Sequence, residues 1–242
     1  MILIILAGGF AKRLMPISEF IPKPLLPVSG KPIIDHIFEN VKDINFEKII
    51  ISTNSKFSDQ FKYYINTQKR YKNIELVIEP TKSEYEKFGA IKGLNYVLST
   101  LNINSDFTVI AGDNFFDFSL YSAFEKFSAL KKSVIGLYDV KSLTEARKFG
   151  VVKIAPDGKI LTITEKPEKP DSTLISMGVY LFKKEIKKLL EEYLVNSVNR
   201  DTIGTFLSWL LNKTELYTVK YDGAWADIGS IDIYRDIFLR EK

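Results

Sequence analysis

A glycine pair followed by cations opens the chain: Leu6-Ala7-Gly8-Gly9-Phe10-Ala11-Lys12-Arg13-Leu14 runs on to Lys23-Pro24-Leu25-Leu26-Pro27. Adjacent glycines let backbone N–H groups approach an anion closely. Lys12, Arg13 and Lys23 add positive charge, and Pro16, Pro22, Pro24 and Pro27 stiffen the segment before a ligand arrives. That is the chemistry of phosphate binding. Neither G-x-G-x-x-G nor G-x-x-x-x-G-K-[ST] is present, which excludes the dinucleotide fingerprint and the P-loop. Two more segments place a carboxylate beside glycine: Gly112-Asp113-Asn114 after an apolar run, and Trp225-Ala226-Asp227-Ile228-Gly229 near the end. A fourth constellation joins Phe149-Gly150-Val151-Val152, Thr164-Glu165-Lys166-Pro167 and Met177-Gly178-Val179-Tyr180. A carboxylate such as Glu165 can accept hydrogen bonds from paired hydroxyls.

The elements that must position these residues follow from hydrophobic pattern. Met1–Leu6 is continuously apolar, which suits a strand buried on both faces of a parallel sheet. Similar runs at Lys48–Ser52, Ile74–Ile78 and Phe107–Ala111 alternate with amphipathic stretches at Pro32–Val41, Phe57–Tyr71 and Ala90–Leu101. Strand-helix alternation predicts right-handed βαβ units and a doubly wound α/β sheet. After Val134–Val140 the strands crowd together: Val151–Ile154 and Lys159–Thr164 flank Asp157-Gly158, a hairpin signal. Ile175–Phe182 and Glu215–Lys220 read as strands, and Lys183–Leu194, Thr202–Leu211 and Ile231–Arg240 as helices. The expectation is one domain over residues 1–242, mostly parallel and Rossmann-like, carrying a small antiparallel subregion.

Composition narrows the chemistry. The 242 residues contain no Cys and one His, with 34 Lys+Arg against 30 Asp+Glu. Thiolate zinc sites, iron–sulfur clusters, disulfides and a cysteine nucleophile are excluded. His36 alone cannot build a multi-histidine metal site, and no G-x-S-x-G accompanies it. Lysines are spread along the chain and the aromatics do not interleave with a basic stripe, so no nucleic-acid partner is expected. Met1–Leu6 lacks the basic leader of a signal peptide, and no run reaches about 18 apolar residues. A cytoplasmic protein without a membrane partner is the expectation.

The motif set resembles the sugar-1-phosphate nucleotidylyltransferases, in the short glucose-1-phosphate thymidylyltransferase-like form. Their signature reads G-G-x-G-T-R-L-x-P, then K-P or K-Q, then L-L-P. Here Ala11 stands at the third and last glycine position of that loop and Lys12 at the usual threonine, while Lys23 through Pro27 match without a gap. The resemblance runs from Ile2 to about Tyr234 with five motifs in order. It implies nucleotide contacts from Leu6, Gly8, Gly9, Lys12, Glu79 and Gly89. Glu79 occupies the position often held by Gln in the base-reading segment. Sugar-phosphate contacts are implied for Gly150, Glu165, Lys166, Gly178 and Tyr180. Arg13, Lys23 and Asp113 carry the catalytic roles, and Asp113 with Asp227 would hold Mg²⁺, which commonly takes one or two protein carboxylates.

The implied reaction joins a nucleoside triphosphate and a sugar-1-phosphate into an NDP-sugar and pyrophosphate, with dTTP or UTP and glucose-1-phosphate the expected pair. GTP with mannose-1-phosphate and CTP-dependent transfer are the alternatives within the class. A nucleotide-sugar-binding regulatory subunit is the alternative outside it. Longer members carry a C-terminal left-handed β-helix, and a second activity is not expected here. A homo-oligomer is left open.

Overall fold

Ile2–Ala7 forms β1, and its side chains sort by the two-residue period of a strand. Leu3, Ile5 and Ala7 enter one hydrophobic core, while Ile2 and Ile4 enter another on the opposite face. A computed structural model describes residues 1–69, 71–197 and 202–239. After β1 come β2 (Pro27–Val28), β3 (Lys31–Pro32), α1 (Ile33–Asn40), β4 (Lys48–Asn54), α2 (Ser58–Thr67), β5 (Ile74–Glu79), α3 (Gly89–Thr100) and β6 (Phe107–Ala111). Then follow β7 (Asn114–Phe116), α4 (Tyr121–Leu130), β8 (Ser133–Asp139), α5 (Leu143–Ala146), β9 (Gly150–Ile154), β10 (Ile160–Glu165) and β11 (Leu174–Phe182). The chain closes through α6 (Ile186–Asn196), α7 (Ile203–Leu210), β12 (Leu216–Tyr221), β13 (Trp225–Asp227) and α8 (Ile231–Leu239).

The main sheet runs β10-β9-β11-β6-β1-β4-β5, with β8 and β12 joined to it through β11. Strands β6, β1, β4 and β5 are parallel, and β11 is antiparallel to β6. This is an α/β fold with a mixed, mostly parallel doubly wound centre. The antiparallel part continues the same sheet through β11 and is no separate layer. Helices α1, α2 and α4 supply Ile34, Phe38, Phe61 and Phe124 to one core. Helices α3, α6 and α7 supply Leu94, Val97, Leu190, Phe206 and Leu207 to the other. Each such fully buried side chain contributes about 1.5–3 kcal/mol of transfer free energy, which anchors the strand ends on which the site is built.

Several elements differ from the sequence expectation, the short β2, β3, β7 and α5 among them. α4 was not anticipated. The expected helix from Lys183 starts instead at Ile186, because Asp106 takes the Lys183 ammonium at 2.6 Å and the Lys184 backbone N–H at 2.9 Å. The stretch Phe57–Tyr71 is helical only over α2, since the Gln68 side chain bonds the Tyr71 backbone N–H at 2.9 Å and carbonyl at 2.8 Å. Arg240, the expected last residue of α8, lies outside the described residues. No described helix is long and apolar enough to cross a membrane.

Candidate active site

The segment after β1 folds as three short 3-10 turns, Lys12–Leu14, Ile17–Glu19 and Lys23–Leu25. A small third core holds it down. Leu14, Leu26, Val28 and Ile33 pack there with Ile228 and Ile237, so the Trp225–Gly229 segment is clamped onto the segment after β1. The same segment pairs with β7 as a two-stranded ribbon in which Asp227 lies opposite Asn114. The Ile228 N–H donates to the Asp113 carbonyl at 3.2 Å, and the Gly112 N–H to the Leu6 carbonyl at 2.9 Å. Three remote segments are thereby brought to one point.

At that point the Lys23 ammonium, 12% exposed, donates to Asp113 Oδ2 at 2.8 Å and sits 3.6 Å from Asp227 Oδ1. Burial opposes the charge on Lys23, but the two carboxylates outweigh it and hold the pKa above the ordinary lysine value. Asp227 moves the other way for a carboxylate. Burial, reinforced by the neighbouring Asp113 charge, pushes it up to about 6, against the opposing pull of Lys23 and Lys166. Asp227 Oδ1 is buried without a hydrogen bond. A carboxylate left in that condition is short of positive charge.

Two cavities meet at this cluster. The first, about 430 Å³, is lined by Leu6, Gly8, Gly9, Lys23, Glu79, Gly89 and Asp113 among others. The second, about 290 Å³, is lined by Asp113, Gly150, Glu165, Lys166, Gly178, Tyr180 and Asp227 among others. They share Ala90, Ala111, Asp113, Thr202 and Ile203, so they form one cleft along the carboxyl ends of the strands. Lys12 and Arg13 are exposed on the first 3-10 turn, outside both linings, and Lys12 lies 4.6 Å from the centre of the Tyr85 ring. Every other sequence-predicted site residue lines the cleft.

The structure adds residues that the sequence reading missed. Gly204, in the first turn of α7, leaves room for Glu165: a Cβ there would lie 1.8 Å from Glu165 Oε2. Burial raises the Glu165 carboxyl, with Lys166 opposing it. Thr202 caps α7 through Thr205 and lines both cavities. A glycine two residues after a capping threonine was the available signal, since glycine inside a helix is unfavourable unless space demands it. Asn114 is buried beside Gly178, whose φ of 82° bends β11 out of register with β8, and Asn114 Oδ1 has no partner among the described residues. Trp225 is half-buried in the second cavity, its indole N–H donating to the Met177 carbonyl at 3.3 Å.

A sequence profile described as nucleotidyl transferase matches residues 2–242. The chain belongs to the nucleotidyl transferase family. It is 31% identical over 230 residues to the bifunctional protein GlmU of Methanocaldococcus jannaschii, covering 93% of this chain and 50% of that protein. It is 28% identical over 231 residues to the UTP–glucose-1-phosphate uridylyltransferase AglF of Haloferax volcanii, covering 93% and 90%. The chain thus spans about half the length of the first of these curated relatives. A UDP-glucose pyrophosphorylase structure complexed with UDP-glucose superposes with a TM-score of 0.82 over 99% of this chain and 97% of that one, at 20% identity, a likeness of fold.

Proposed function

We propose that this nucleotidyl transferase family member is a sugar-1-phosphate nucleotidylyltransferase, with dTTP or UTP and glucose-1-phosphate as the favoured pair. The observation that carries the reading is the Lys23–Asp113–Asp227 cluster at the junction of two cavities. A phosphate oxygen of the sugar-1-phosphate attacks the α-phosphorus. That P–O bond forms while the bond to the β-phosphate bridge breaks, and pyrophosphate leaves opposite. The attacking oxygen is already anionic, so no general base is required. His36 is consistent with this: it is buried, bonded to the Val28 carbonyl at 2.8 Å, and lines neither cavity of the cleft.

Positioning and charge stabilisation therefore do the catalysis. Lys23 faces the charge that develops on the α-phosphate and Lys166 holds the sugar phosphate, while Arg13, exposed outside both cavities, is assigned to the triphosphate and the departing pyrophosphate by the resemblance alone. Glu165 accepts from sugar hydroxyls in the second cavity, with Gly150, Gly178 and Tyr180 shaping the wall.

The residues fit a magnesium ion. No described cluster has three or more metal-ligating side chains, which argues against an all-protein cage. Two adjacent carboxylates, one with an orphaned buried oxygen, match an ion that draws its remaining ligands from phosphate and water. Asp113 and Asp227 would hold it, and when bound it neutralises phosphate charge.

The test is pyrophosphate release with Mg²⁺ across dTTP, UTP, GTP, CTP and ATP, each with glucose-1-, mannose-1-, galactose-1- and N-acetylglucosamine-1-phosphate. Turnover with a clear best pair supports the reading. Silence for every pair, with nucleotide-sugar binding intact by calorimetry, replaces it with a regulatory binding protein.

A further inference from the structure

Glu165 is the last residue of β10 and lies opposite Gly150, the first residue of β9, in their antiparallel register. Its side chain is 18% exposed, and among the described residues its carboxyl has one charged partner, the Lys166 ammonium at 3.8 Å from Oε1. That lysine is itself 59% exposed, and so open a contact fixes no orientation. Shape fixes it instead. Oε2 sits between two glycines: a Cβ on Gly150 would lie 3.3 Å from it, and one on Gly204 1.8 Å.

The backbone gives Gly204 no reason to be glycine. It is helical, in the first turn of α7, and takes no left-handed conformation, whereas Gly178 has φ 82°. Glycine is disfavoured in a helix relative to alanine. The three atoms nearest to a Cβ at this position all belong to Glu165: Oε2 at 1.8 Å, Cδ at 2.9 Å and Cβ at 3.4 Å. Neither element can back away from an added methyl. Phe206, Leu207 and Leu210 of α7 are buried in the second core, and the Glu165 backbone is held by its pairing with β9. The carboxyl would have to swing, and its open side is the second cavity, whose wall both residues form.

We propose that Gly204 is a positioning residue for the sugar-1-phosphate: the Glu165 carboxyl is seated in the space that its missing side chain leaves, which holds the acceptor at the wall and keeps the second cavity open to a sugar ring. This rests on the transferase reading of the cleft. A methyl at Gly204 moves the acceptor away from the sugar hydroxyls and into the room the ring needs. The first cavity is untouched, because neither Gly204 nor Glu165 lines it. The loss therefore falls on the sugar-1-phosphate and spares the nucleotide.

The experiment is a double-mutant cycle on the intact protein, with Gly204→Ala, Glu165→Asp and the two combined. It is read as initial rates of pyrophosphate release with the best nucleotide and sugar-1-phosphate pair, each varied while the other saturates. Gly204→Ala should raise KM for the sugar-1-phosphate about tenfold to a hundredfold, with KM for the nucleotide changed by less than about twofold. Aspartate is one methylene shorter and leaves the space at Gly204 free. The same alanine in the Glu165→Asp background should therefore change the sugar KM by less than about twofold. A glycine needed only for folding would instead lower the amount of active protein, shift neither KM selectively and act alike in both backgrounds. That outcome overturns the proposal, as does a Gly204→Ala enzyme with wild-type constants, and both leave the transferase reading standing. If Gly204→Ala does not fold, the combined variant decides: it should fold and match Glu165→Asp, and its failure to do either overturns the proposal. A wild type that turns over no pair overturns the proposal together with the transferase reading.

Discussion

Two aspartate clusters in this protein are built from the same residue types and behave in opposite ways. At the outer end of β8, Asp139 accepts from the Thr173 hydroxyl at 2.7 Å, the Lys141 backbone N–H at 3.0 Å and the Lys141 ammonium at 2.9 Å, with Lys220 at 3.6 Å. The bonds from Lys141 and then Thr173 hold its carboxyl well below the usual range. In the cleft, Asp227 faces a second carboxylate, shares one lysine with it, and is pushed up instead. A cluster that serves the frame satisfies its acceptor several times over. The cleft cluster sets two carboxylates against one lysine, and that imbalance with burial is what raises Asp227.

The largest effect should come from breaking the second cluster. Asp113→Ala is expected to lower turnover about a thousandfold, the range typical of electrostatic groups in a reaction centre. Pyrophosphate release under saturating substrates checks it, and near-normal turnover would remove Asp113 from the proposed centre. Asp139→Ala should do the reverse: cost about 1–2 kcal/mol of stability, the price of orphaning its donors, with turnover per folded molecule unchanged. Its folded pKa is depressed, so that stability is present above the ordinary aspartate range and is lost as pH falls through the folded value. Denaturant melts of wild type and variant should converge in acid and separate near neutrality.

Asp227 carries the opposite sign. Its folded pKa of about 6 lies above the ordinary 3.8, so the native state holds this proton more tightly than the unfolded chain does. The contribution is fully present below the ordinary value and is lost as pH rises through the folded one. Asp227→Asn stays neutral throughout. Its stability relative to wild type, measured without added metal, should therefore grow between about pH 4 and about pH 7, while turnover falls. A constant difference across that range would mean that Asp227 does not titrate as its surroundings imply.

What the sequence could tell differs between the frame and the cleft for physical reasons. β1, β4 and β6 were legible because strands buried on both faces must be apolar throughout, a local property. Helix α4 was equally legible, with Ala123, Phe124 and Phe127 on one buried face, yet it is absent from the expectation above. The β7–β13 ribbon was not, since three-residue strands show no periodicity and their pairing spans about half the chain. Asp113, Asp227 and Lys23 were marked by motif. That Lys23 lies between the two carboxylates depends on the small core of Leu14, Leu26 and Ile228, contacts which no local pattern encodes. The fit of Glu165 against Gly204 is likewise a contact between β10 and α7, visible only once both elements are placed.

The smallest effect sharpens the contrast from the frame side of the cleft. Ala11 precedes the first 3-10 turn with φ 48° and ψ 43°, a left-handed conformation at the loop position where the resemblance places glycine. An L-residue there costs roughly 1–2 kcal/mol relative to the right-handed region. Two contacts hold it: Ser18 donates its hydroxyl to the Ala11 carbonyl at 2.8 Å, and the methyl packs against the small core beneath the loop. Ala11→Gly removes the steric cost and that methyl contact, and it frees the unfolded chain, which opposes the gain. The net change should be a stabilisation of no more than about 1 kcal/mol, read as a small rise in melting temperature. A loss of stability would show that the methyl packing outweighs the backbone strain. The strain would then be incidental to a loop held by its core, in line with the frame cluster rather than with the charge-starved carboxylates beside it.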